Sequence, residues 1–89
     1  MVTRIFKKTL LGIEFGKIIR AHRENMSMTQ ELLAEKSDLT TNYIGSVERG
    51  ERNVGLEVIY KLAEALNTHP KNLLPPYKGG KTGIPGGGK

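Results

Sequence analysis

Residues 30–49 read QELLAEKSDLTTNYIGSVER, and the fold follows from how this stretch must bend. Two runs suited to helix, each of about eight residues, flank Ser37-Asp38-Leu39. So short a link makes two helices cross steeply instead of lying antiparallel. Thr29 and Thr40 precede the runs, and their hydroxyls suit the free amides of a first helical turn. Ala34 is small enough to admit the second helix, and Asp38 is an acceptable residue for the positive φ that the corner needs. The first run is expected to turn Leu32, Leu33 and the stem of Lys36 inward, with Ala34 beside them. Leu39, Ile44 and Val47 give the second run its inward edge, and Gly50 ends it where a left-handed residue costs least.

Outward from this pair the pattern stays helical. Phe15, Ile18, Ile19 and His22 recur at helical spacing, predicting a helix from about Ile13 to Asn25. After Gly55, the positions Leu56, Ile59, Leu62, Ala63 and Leu66 form a second apolar stripe, closed by Asn67 and Thr68. Pro70 suits a first helical position and opens a last short element bearing Leu73 and Leu74. No stretch alternates long enough for a strand. The expectation is an all-α, compact five-helix domain over residues 11–74. Residues 1–10 form a basic lead-in, and residues 75–89, with Pro75, Pro76, Pro85 and six glycines, a flexible tail.

A chain of 89 residues has room for one small core. Cysteine is absent, which removes disulfides and thiolate metal sites, and packing must supply the stability. No segment approaches the ~20 apolar residues of a membrane span, and the opening stretch lacks the apolar run and cleavage site of a signal peptide. A cytoplasmic protein is expected. The net charge of +5 is misleading, because residues 11–74 hold eight cations against nine acids and the excess sits at the two ends. Pattern, not bulk charge, must carry the function.

The outer stripe of the second run is Thr41, Asn42, Gly45, Ser46 and Arg49. It carries neither a large apolar residue nor a carboxylate, although the chain is rich in Glu. Thr, Asn, Gly and Ser are poor helix formers, and Gly45 costs about 1 kcal/mol against Ala in a helix interior. Short donors and acceptors without negative charge are what the edges of base pairs in a major groove require. A solvated face in a plain α-hairpin is the alternative.

The run MTQELLAEKSDLTTNYIGSVERGERN (residues 28–53) resembles the lambda-repressor-like helix-turn-helix family of the Cro or Xre type. The likeness spans about residues 12–74, since LEVIYKLAEALNTHPKNLL is similar to the family's last two helices. Asp38, where Gly is common, and His22, where an apolar residue is usual, depart from the pattern. The resemblance implies double-stranded DNA as partner, with Thr41, Asn42, Gly45 and Ser46 at the base edges and Asn42 suited to adenine. It implies backbone contacts from Gln30, Thr40, Tyr43, Arg49, Arg52 and Asn53. It also implies an internal ion pair between Arg23 and Glu48. Three of these residues have plainer readings: Tyr43 as a packed ring, Arg49 as a charge favourable to a helix end, Gln30 as part of a first turn.

Catalysis is not expected. GKT at Gly80–Thr82 lacks the strand, the helix and the first glycine of a phosphate-binding loop, and no nucleophile–base grouping is visible. His22 and His69 have no metal spacing, so neither metal nor cofactor nor small-molecule ligand is expected. The functional expectation is a sequence-specific transcription regulator, a repressor acting as a homodimer on a near-palindromic operator through Leu73, Leu74 and Tyr77. The rival is a protein-interaction module that uses the same fold to hold a partner.

Overall fold

The structure, a computed structural model, describes residues 8–76. Four α-helices follow one another: α1 (Leu10–Asn25), α2 (Gln30–Ser37), α3 (Thr41–Glu48) and α4 (Leu56–Ala65). The expected fifth helix is a single 3-10 turn, Pro70–Leu73. Its four residues leave too little chain for an α-helix before Leu74 returns to extended geometry and Pro75 follows. No strand occurs among the described residues. α1 begins at Leu10, earlier than the apolar spacing predicts, because the Thr9 hydroxyl accepts a hydrogen bond from the Gly12 amide at 3.0 Å. Thr29 and Thr40 cap α2 and α3 in the same way, as expected.

All four helices end alike. A residue at positive φ follows each: Ser27, Asp38, Gly50 and Asn67. The amide beyond it then reaches back five residues, from Met28 to the Arg23 carbonyl, Leu39 to Ala34, Glu51 to Ser46 and Thr68 to Ala63, at 2.9–3.0 Å. Asp38, at φ 58°, makes the expected corner between α2 and α3. At Gly50, with φ 77°, a Cβ would also lie 2.9 Å from Ile13, so the close approach of α1 adds to the backbone preference for glycine at the end of α3.

The core is built from Phe15, Ile19, Met28, Leu33, Ala34, Ile44, Val47, Leu62, Ala63, Leu66 and Leu73. α3 packs against α1 and α2, while α4 packs against α2 and the 3-10 turn. α1 comes unusually close to α3 at Gly16, where a Cβ would overlap the Val47 carbonyl oxygen and sit 2.8 Å from that of Glu48. Two expected faces shift. In α2 the inward residues are Leu33, Ala34 and Ser37, with Leu32 and Lys36 exposed. The steep corner turns the flank of α2 toward α3, and Ser37 is admitted because its hydroxyl donates to the Leu33 carbonyl at 2.6 Å. In α4, Leu56 is 71% exposed, since it stands in the first turn before α4 reaches the core.

Candidate nucleic-acid interface

α3 is held from behind by a closed polar cluster. Arg23, on α1, donates from Nε to Glu48 Oε2 at 2.6 Å and from Nη2 to Oε1 at 3.1 Å, a two-pronged pair. Its Nη1 donates to the Met28 carbonyl at 2.8 Å. Gln30, at the start of α2, donates from Nε2 to Glu48 Oε1 at 3.0 Å. One carboxylate thus ties the last turn of α3 to both preceding helices. The hydrogen bond to Glu48 also raises the Arg23 pKa, against the opposing effect of burial. The Arg23–Glu48 pair is present as expected, and Gln30 braces α3 from within the protein.

On the other side, Thr40, Thr41 and Asn42 form the leading edge of α3. Thr40 uses its hydroxyl to accept from the Tyr43 amide, Thr41 is half-buried and Asn42 is exposed. Gly45 is buried, and the space a Cβ would take lies 3.1 Å from Arg49 Nη1 and 3.7 Å from Gln30 Oε1. Its lack of a side chain is therefore used by neighbouring side chains of the protein itself. Ser46 is not presented to solvent as the sequence suggests. It is 5% exposed, donates to the Tyr43 carbonyl at 2.7 Å and accepts from Arg52 Nε at 3.0 Å. The loop after α3 folds back to make that bond, and the Arg52 guanidinium lies 5.3 Å from the centre of the Tyr43 ring.

Arg49 caps the far end of α3 and points outward, pairing through Nε and Nη2 with Glu51 at 3.0 and 3.2 Å. That hydrogen bond holds the Glu51 carboxyl below the ordinary carboxylate range, with Arg49, Lys8 and Arg52 adding attraction. Lys8, Ser46, Glu51 and Arg52 line an open cleft of about 500 Å³ beside this end of α3. Asn53 is exposed next to it. Lys8 and Glu51 are not among the residues expected at the site, because one belongs to the basic lead-in, whose structure the sequence leaves open, and the other lies beyond the end of α3.

The three residues expected at a dimer contact divide. Leu73 is fully buried in the core, because the 3-10 turn rotates it under α1 and α4, so it has no surface to offer. Leu74 is 51% exposed. Tyr77 lies outside the described residues, as do positions 1–7 and the remainder of the tail. Among the described residues there is no group of side chains able to hold a metal ion, and no helix is long and apolar enough to cross a membrane.

The surface so assembled is a short helix held outward by a corner, with small polar groups leading and cations trailing. Residues 19–73 match the helix-turn-helix family model. The chain is 48% identical over 61 residues to control protein C.BamHI of Bacillus amyloliquefaciens, covering 67% of this chain and 75% of that one. It is 52% identical over 56 residues to control protein C.SmaI of Serratia marcescens, covering 63% and 67%. Among solved structures, the restriction-modification controller protein C.AhdI from Aeromonas hydrophila superimposes with a TM-score of 0.69 and 45% identity, over 70% of this chain and 94% of that one. The chain belongs to the helix-turn-helix family of the Cro/C1 type and is a DNA-binding transcription regulator.

Proposed function

We propose that this regulator is a controller of a restriction-modification system, repressing transcription as a homodimer on a near-palindromic operator. The observation that carries the DNA-reading part is the leading edge of α3, where exposed Asn42 stands beside Thr41 with no carboxylate between them and solvent. Asn42 reads adenine through its amide, and Thr41 adds a second contact to the base edges. Thr40, Tyr43, Arg49, Arg52 and Asn53 bind phosphate and set the register. Gln30 acts from behind by holding α3 in place. Ser46 reads a base only after Arg52 leaves it, so the duplex must draw Arg52 outward.

One such surface touches few base pairs, and two copies about one helical turn apart multiply the affinity. Leu56 and Tyr60, one turn apart on α4, and Leu74, which borders a pocket with Arg52 and Asn53, are large apolar groups left exposed. They suit the homodimer contact better than Leu73 does. The similarity to two control proteins and a controller structure supports the restriction-modification context. A role on DNA supports a cytoplasmic location.

The test is selection of bound duplexes from a random pool, followed by titration of the winning site. A symmetric consensus bound by a dimer is expected. Failure to enrich any sequence would point instead to a module that holds a protein partner.

A further inference from the structure

We propose that Glu51 sets the DNA affinity of this protein by occupying Arg49 in the free state, as an internal competitor for the phosphate that Arg49 must reach. The inference rests on the reading of Arg49 as a backbone contact and adds a residue that works against it.

Glu51 is placed by the backbone. Gly50 takes a left-handed turn, and the Glu51 amide donates to the Ser46 carbonyl at 2.9 Å. This returns the chain across the end of α3 and sets the Glu51 carboxylate against the guanidinium two residues earlier. Both carboxylate oxygens are engaged, one by Arg49 Nε and one by Nη2. A phosphate would use the same two-pronged geometry on the same side chain. Glu51 also lines the cleft next to two cations, Lys8 and Arg52. An acid in that position is otherwise a liability, because it repels the polyanion that the surrounding charges attract.

The pair is exposed, with the Arg49 side chain 59% and the Glu51 side chain 32% accessible. Such pairs are weak enough to be exchanged for a phosphate and strong enough to lower affinity about two- to fivefold. The exchange acts on backbone contacts, so it lowers specific and nonspecific binding together.

The experiment measures duplex affinity by fluorescence anisotropy over a range of salt for the full chain, Glu51→Gln, Arg49→Ala and the double variant. Glu64→Gln, on α4, serves as the control for loss of any one acid. Glu51→Gln is expected to tighten binding about two- to fivefold. The slope of affinity against salt should stay unchanged, because Arg49 meets a phosphate in both complexes. In the Arg49→Ala background that gain should shrink toward none. Equal gains in both backgrounds, or a gain no larger than that of Glu64→Gln, would show that Glu51 acts only as bulk charge and would overturn the proposal. Weaker binding by Glu51→Gln would overturn it too, showing that the carboxylate orients Arg49 for DNA. If Arg49→Ala binds as tightly as the parent, the failure lies instead in the phosphate-contact reading itself.

Discussion

Two arginine–carboxylate pairs sit near the same end of α3 and have opposite characters. Arg23–Glu48 is shut in, with side chains 11% and 4% exposed, and its remaining donors and acceptors are taken by the Met28 carbonyl and Gln30. Arg49–Glu51, a few residues along the chain, stands in solvent. Identical chemistry therefore serves two purposes, decided by what surrounds it. A carboxylate enclosed by helices can exchange its partner only by unfolding the cluster, so Glu48 fixes where α3 points. A carboxylate facing water exchanges partners readily, so Glu51 can compete for Arg49 without withholding it from phosphate.

The sharpest way to break this contrast is to remove one member of each pair. Glu48→Ala leaves the largely enclosed Arg23 with only the exposed Glu24, 3.9 Å away, as counter-charge and should destabilise the fold by about 3 kcal/mol, read as a lowered urea midpoint. Glu51→Ala should leave the same midpoint essentially where it is. A comparable loss from both would erase the distinction drawn here. Gly16→Ala attacks the enclosed pair indirectly, because the added methyl meets the Val47 and Glu48 carbonyls and must push α1 off α3. About 2 kcal/mol of destabilisation is expected, despite the better helix propensity of Ala, and thermal melting measures it.

Smaller still is the effect on the exposed side. Arg49→Ala should leave the urea midpoint essentially unchanged, weaken all duplexes alike and flatten the salt slope by about 0.9. Titrations at several salt concentrations check this.

The same division explains what was legible in the sequence. The corner at Asp38, the caps Thr29 and Thr40 and the end at Gly50 are local devices, set by residues within one turn of where they act, and the chain shows them openly. Ile44 and Val47 were readable as core because they are apolar and three positions apart, although Gly45 and Ser46 between them are buried as well. Gly16 was not, since its meaning lies in a carbonyl on another helix about thirty positions away. Leu56 and Leu73 exchanged their expected places because periodicity identifies an apolar side without saying where along a helix the neighbours stop. The Arg23–Glu48 pair came from family resemblance, as nothing in the spacing of the two residues brings them together. Ser46 and Glu51 were misjudged or missed for one reason: a helical wheel ends with the helix, whereas the loop of residues 50–53 folds back over it.

The account stands or falls on the leading edge of α3, and one measurement addresses it most directly. The ratio of affinities for a selected operator and an unrelated duplex should be compared between the parent and Asn42→Ala at fixed salt. Loss of the amide is expected to reduce that ratio about 5- to 150-fold, the equivalent of about 1–3 kcal/mol, while the unfolding midpoint stays put. An unchanged ratio, with the variant folded, would mean that base pairs are read elsewhere or not at all.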